Sequence, residues 1–167
     1  MKFNKQLIEA RFVERLNRFA AVMEIDGEQA RVHIANSGRL QELLTPDNVM
    51  YLTPADPFSN RKTAYDLTLV RIGDVLVSAD ARAPNALIAE ALEDGYLEEF
   101  TGYETITREV KTHDSRLDLR LSGPSGQCYV EAKSVTLVEN GIALFPDAPT
   151  IRGTKHVRTL AALVAEG

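Results

Sequence analysis

The sequence predicts a mixed α+β / α/β chain in two parts, a small β-barrel over residues 1–80 and a sheet packed with helices over residues 81–167. Three observations predict it. Up to about residue 80, short apolar or β-branched runs are separated by turn residues. At Pro84-Asn85 the composition changes to helix formers. Beyond residue 104 polar and apolar residues alternate with the period of half-buried strands, and the chain closes on an amphipathic helical run.

In the first part the predicted strands are 19–25, 30–34, 49–52, 64–72 and 75–78. Asp26-Gly27, Ser37-Gly38, residues 54–60 and Gly73-Asp74 supply the turns. In the second part Pro84-Asn85 starts a helix running to about Asp94, carried by Ala86, Leu87, Ala89, Ala91 and Leu92, and Gly95 ends it. Strands follow near 105–110, 116–121 and 128–135. A helix over 153–166 places Val157, Leu160, Ala161 and Val164 at three- and four-residue steps, a stripe expected to pack on the sheet.

A chain of 167 residues with 44% hydrophobic and 26% charged content can bury a core. No apolar stretch approaches the roughly 20 residues of a membrane span, and the N-terminus lacks a signal-peptide core, so a cytoplasmic protein without a membrane partner is expected. Cys128 is the only cysteine, which excludes an internal disulfide and any thiolate cluster. The net charge of −5 argues against a polyanion binder unless charge is unevenly distributed. It is uneven: Glu90, Glu93, Asp94, Glu98, Glu99 and Glu104 crowd one stretch, and Arg152, Lys155, His156 and Arg158 another. The absence of a Walker loop, a dinucleotide fingerprint and a Gly-x-Ser-x-Gly elbow argues against nucleotide hydrolysis, redox and serine-esterase chemistry.

The residues that carry chemistry lie in the alternating strands. In Arg116-Leu117-Asp118-Leu119-Arg120-Leu121 the acid and both arginines share one face and the leucines fill the other. After the turn-rich 122–126, Cys128-Tyr129-Val130-Glu131-Ala132-Lys133 puts Glu131 and Lys133 on one face of the next strand. A hairpin would bring Asp118, Glu131 and Lys133 together. Two carboxylates suit a hard, oxygen-liganded cation, Mg2+ or Mn2+, and Lys133 could orient a water or stabilise developing charge, so the grouping points to metal-assisted phosphodiester chemistry. From the spacing alone, a solvated strand face accounts for the same residues. The pattern D-x(n)-E-x-K resembles the core of the PD-(D/E)xK nucleases.

A longer series of blocks adds to this. Arg108-Glu109-Val110-Lys111, Ser115-Arg116-Leu117-Asp118 and the run from Tyr129 to Leu137 closely resemble the sugar fermentation stimulation protein A (SfsA) family. So do Asn36-Ser37-Gly38-Arg39-Leu40, Asn60-Arg61-Lys62 and the run from Pro84 to Ala91. The run from Ala143 to His156 resembles the family's FPDA-x-T-x-RG-x-KH signature, with Pro149 where a valine-like residue is expected. The resemblance implies an OB-fold-like N-terminal barrel that binds nucleic acid, then a PD-(D/E)xK restriction-endonuclease-like domain. Family members run on past the position of Gly167, so that domain is expected to lack its last strand.

The resemblance also implies roles. Asp118 and Glu131 would hold metal, Lys133 would assist water, and Glu90 would supply a further acid unless it is only a solvated helix residue. Arg39, Arg61 and Lys62 would contact phosphate or stand as solvated turn residues. Arg116, Arg152, Lys155 and His156 are further DNA contacts, the last three at a helix N-terminus that favours phosphate. His156 could instead shuttle a proton. Asp147 would reach the metal, orient Lys133 or cap a turn. His33 is expected inside the barrel and His113 in a turn. The family implies DNA binding and a link to sugar (maltose) metabolism, the intact acids imply a divalent-metal-dependent DNA nuclease, and an unpaired sheet edge would allow a homodimer.

Overall fold

A computed structural model describes residues 6–58, 60–124, 126–145 and 150–166. The elements run β1 (Ile8–Asn17), β2 (Ala20–Ile25), β3 (Glu28–His33), β4 (Val49–Pro54), β5 (Tyr65–Ile72), β6 (Val75–Ser78), α1 (Ala83–Glu93), a 3-10 turn at Glu98–Phe100, β7 (Thr105–Thr112), β8 (Ser115–Gly123), β9 (Gly126–Val130), β10 (Val138–Glu139), β11 (Ile142–Ala143) and α2 (Ile151–Glu166). They form two compact units, Met1–Ala83 with Ser134–Asp147, and Pro84–Lys133 with Ala148–Gly167. Residues 134–145, expected in the second part, therefore belong with the first. Thr136 Oγ1 donates to Glu42 Oε1 at 2.6 Å, one tie that holds the returning segment there.

The first unit is a barrel. Its strands lie in the order β3-β2-β1-β4-β5-β6, and a parallel contact of β3 with β5, Val32 against Tyr65 and His33 against Asp66, closes β1 to β5 into five strands. Two-residue loops turn the hairpins. Asp26 and Gly27 both take positive φ, 51° and 85°, the mirror-image turn that matches the twist of paired strands. Met23, Val32, Ile34, Leu43, Met50, Leu52 and Val70 have no exposed surface and form the centre of the core. At about 0.8 kcal/mol per buried CH2, such side chains hold the barrel.

β1 is the strand missing from the expected set. Its sequence sets Glu9, Arg11, Glu14 and Arg15 among its apolar residues, and only Ala10 is buried. Pairing with β2 and β4 holds it, and two register irregularities along β2 break the simple alternation that periodicity depends on.

The second unit is an antiparallel sheet, β7-β8-β9, with α1 and α2. α1 ends as Gly95 predicts. At φ 73° it lets Tyr96 N–H reach Ala91 O (2.8 Å) and its own N–H reach Leu92 O (3.2 Å), the paired bonds that satisfy the last carbonyls. β8 follows its pattern: Leu117, Leu119 and Leu121 are buried, while Arg116 is exposed and Asp118 and Arg120 are half-buried.

α2 overturns the expected stripe. Val157 and Val164 are 67% and 83% exposed, and the buried residues are His156 and Thr159. The inward face is rotated by one residue because it is chosen by polar partners. Thr159 Oγ1 shares a buried 2.8 Å hydrogen bond with Ser115 Oγ, and His156 bonds Glu131. None of the described helices is long and apolar enough to cross a membrane.

Candidate functional site

β9 stops at Val130, short of the expected 128–135, and its end builds the site. Residues beyond Val130 leave the ladder, which frees the Ala132 N–H to donate to Asp118 Oδ2 at 2.8 Å. Asn85 Nδ2, near the start of α1, donates to Asp118 Oδ1 at 2.6 Å. One carboxylate of β8 is thus fixed by a helix residue and by the backbone beside Glu131.

Glu131 is the more enclosed acid, its side chain 6% exposed. Its Oε1 accepts from both Lys133 Nζ and His156 Nδ1. Its Oε2 is buried and, among the described residues, has no hydrogen-bond partner. A buried carboxylate oxygen with no donor costs free energy unless something positive completes it. The neighbouring donors, Lys133 and His156, both sit on the other oxygen, so Oε2 is the atom of this carboxylate that could take a hard cation. Among the described residues no three His, Cys, Asp or Glu side chains gather as a metal cluster. A cation here would rest on Glu131 and Asp118 and fill its shell with water and substrate oxygens, a habit that suits magnesium, manganese or calcium.

Three more features were not expected from the sequence. Asn85 read only as a helix-start residue, though its helix position and short amide suit the brace it makes to Asp118. Arg120, on the Asp118 face of β8, keeps its Nε buried and, among the described residues, without a partner. Glu109 takes a left-handed φ of 58° in mid-strand, between the pairs Arg108–Leu119 and Val110–Leu117, and so kinks β7 alongside Asp118. Non-glycine residues held at positive φ cost roughly 1–3 kcal/mol and collect at functional sites.

The remaining expected residues are placed as follows. Asp118, Glu131 and Lys133 come together. His156 joins them as a buried partner of Glu131, 5% exposed. Glu90 is half-buried on α1. Arg116 is exposed but ion-paired with Glu109. Arg152 and Lys155 are exposed on the first turns of α2, whose start is capped: Thr150 Oγ1 accepts from Gly153 N–H at 2.8 Å, so one amide expected to be open to phosphate is occupied. Asp147 lies outside the described residues.

In the first unit Arg39 and Lys62 are exposed. Arg61 grips Asp66 through two bonds of 2.9 and 2.8 Å, and His33 Nδ1 meets the same carboxylate at 2.8 Å. Burial pushes the Asp66 carboxyl up, but hydrogen bonds from Arg61 and His33 outweigh it and hold Asp66 below its usual range. The bond to Asp66 raises Arg61 in turn, so this arginine is engaged within the barrel.

Comparison with known proteins decides the family. The model of the SfsA N-terminal OB domain matches residues 13–79, and that of the sugar fermentation stimulation protein RE domain matches residues 82–167. The chain belongs to the SfsA family. It is similar to the sugar fermentation stimulation protein homologue of Moorella thermoacetica, 50% identical over 162 residues that span 96% of this chain and 70% of the relative. The homologue of Desulforamulus reducens is 44% identical over 97% of this chain and 67% of its own length. Among solved structures, SfsA of Pyrococcus furiosus in complex with Ca2+ superposes with a TM-score of 0.88 at 32% identity, covering 100% of this chain and 72% of that one. The OB-domain match falls on the barrel strands, and the RE-domain match runs from α1 through α2 and includes the returning segment that groups with the barrel.

Proposed function

We propose that this SfsA-family chain is a cytoplasmic DNA-binding protein, largely indifferent to sequence and linked to sugar (maltose) metabolism, whose RE domain holds a divalent cation between Asp118 and Glu131. The observation that carries the cation site is the buried Glu131 Oε2, partnerless among the described residues while Oε1 takes both neighbouring donors. The Pyrococcus furiosus relative, described in complex with Ca2+, supports an oxygen-liganded cation in this family. DNA as the partner draws support from the exposed Arg39, Lys62, Arg152 and Lys155, which offer phosphate contacts despite the overall charge of −5.

A second reading, divalent-metal-dependent hydrolysis of DNA, is favoured by Lys133. Its ammonium sits on Glu131 with the side chain 37% exposed, within reach of solvent and of a phosphate drawn to the site. A bound cation there would polarise a phosphodiester and lower the pKa of a water. Lys133 would orient that water or steady charge on the phosphoryl oxygens, and Arg120 Nε offers a second donor on the Asp118 face.

One experiment separates the readings. Supercoiled and linear DNA are incubated with the protein in magnesium, manganese, calcium or chelator, alongside Asp118→Asn, Glu131→Gln and Lys133→Ala. Salt-sensitive retardation without cutting supports DNA binding alone. Metal-dependent cutting lost in all three variants supports the nuclease. Neither retardation nor cutting would sink both.

A further inference from the structure

A cleft of about 220 Å3 lies in the barrel unit, walled on one side by the loop after β3 and on the other by the returning segment around β10 and β11. Asn36, Arg39, Gln41 and Glu42 line the first wall, and Thr136 and Phe145 the second. The loop is held far more firmly than an idle connection requires. Leu40, Leu43 and Leu44 are buried in the barrel core, and the Asn48 amide donates to the carbonyls of Glu42 and Leu43 at 3.0 and 2.9 Å.

The clamp from beneath is Arg15. Its guanidinium donates to the carbonyls of Arg39, Gly38 and Arg18, and its Nε to Asn17 O, so its charge is spent on backbone. Burial, with Arg18 nearby, lowers its pKa from the ordinary arginine value. Above the clamp, Leu40 is buried at a φ of 53°. A left-handed leucine is uncommon and strained, and persists only where its surroundings over-determine it. The product of this fixation is the presentation of Arg39, whose side chain is exposed at the cleft while its carbonyl is pinned below.

Opposite stands Phe145, 57% exposed on a segment fastened by the Leu144 N–H to Leu137 O bond of 2.9 Å and by Thr136 on Glu42. An exposed ring lining one cleft with an arginine and two side-chain amides has the chemistry to receive an unstacked nucleotide: a π-face for the base, amides for its edge and a guanidinium for its phosphate. The volume falls below the roughly 300–1,000 Å3 of drug-sized sites, so the cleft takes a single unit of a polymer.

We infer that this cleft binds one unpaired nucleotide of a single strand, with Phe145 stacking on its base and Arg39 holding its phosphate. The inference rests on the DNA-binding reading and narrows it to strand ends, gaps or unpaired segments.

The test is fluorescence anisotropy of the full chain with a single-stranded oligothymidylate, the same strand carrying one abasic site, and a duplex of equal length. Wild type is compared with Phe145→Ala, Phe145→Tyr and Arg39→Ala, each checked for an unchanged unfolding midpoint. The expected result is preference for the single strand, lost about tenfold in Phe145→Ala, kept in Phe145→Tyr, and unchanged for the duplex. With no tryptophan in the chain, a 2-aminopurine strand reports stacking directly, and its signal change should vanish in Phe145→Ala. Equal affinity for single strand and duplex, both indifferent to Phe145, overturns the cleft while DNA binding stands. No binding to any of the three nucleic acids overturns both.

Discussion

Replacement of His156 tests the site through its most enclosed contact. The imidazole side chain is 7% exposed and its Nδ1 bonds Glu131 Oε1, where the other donor among the described residues, Lys133, is partly in solvent. In His156→Ala the carboxylate keeps one partly hydrated donor, and its Oε2 stays bare. A hydrogen bond to a buried charged group is worth about 1.5–3 kcal/mol, and lost ring packing adds to it, so a total near 3 kcal/mol is expected. For a chain of 167 residues this lowers the unfolding midpoint by roughly 6–12 °C.

His156→Gln keeps a donor and should recover about half of that loss. Cation affinity reads a different property. A partner that orients a metal-ligating carboxylate is commonly worth about 10–100-fold in affinity, so calorimetric titration with Mn2+ or Ca2+ should weaken by that factor in His156→Ala and less in His156→Gln. Cation at 100 times its Kd should raise the wild-type stability by about 2.7 kcal/mol. A His156→Ala protein that is destabilised yet binds cation with undiminished affinity would show His156 to be core packing alone. A Glu131→Gln protein that keeps the full cation-induced stabilisation would remove Glu131 from the site.

Other expectations follow from single contacts. Asn85→Asp sets a second carboxylate against Asp118, so chemical denaturation should show about 1–3 kcal/mol lost at pH 7 and partly regained near pH 4; equal loss at both would refute the contact. Thr159→Val leaves Ser115 buried and unsatisfied at a cost of about 1–3 kcal/mol, whereas Val157→Ser and Val164→Ser, on exposed positions of α2, should stay within about 0.5 kcal/mol in the same assay. Asp66 titrates below its usual range, so its contribution is present above the unfolded pKa near 4 and lost as pH falls through the folded value. Asp66→Asn should therefore flatten the stability profile below about pH 4, measured by urea unfolding at stepped pH.

Where burial alone decides structure, the residues announced it. The leucines of β8, the Asp-Gly turn of the barrel and Gly95 after α1 each obey a local rule that needs no distant partner. β1 was hidden because charged residues are interleaved along a strand that buries little, so pairing with β2 and β4 holds it. The inward face of α2 was hidden because Ser115 and Glu131, distant in sequence, draw Thr159 and His156 in ahead of the valines. At the site the acids and lysine were legible as a spacing, while Asn85, Arg120 and the brace from His156 depend on tertiary proximity.

The early end of β9 shows how these levels meet. Had the strand continued through residue 135 as its alternation suggests, the Ala132 N–H would stand in line for a neighbouring strand, leaving Asp118 one donor fewer. The chain leaves the sheet at Glu131 instead. Asp118 receives that N–H, Glu131 turns inward to meet His156 from α2, and Lys133 folds back onto the same oxygen. Each donor so gathered falls on Asp118 or on Glu131 Oε1, and none on Oε2. The contacts that end the strand are therefore the ones that brace both carboxylates and leave Oε2 bare, and on the proposed reading Oε2 is where cation binding should first be lost on mutation.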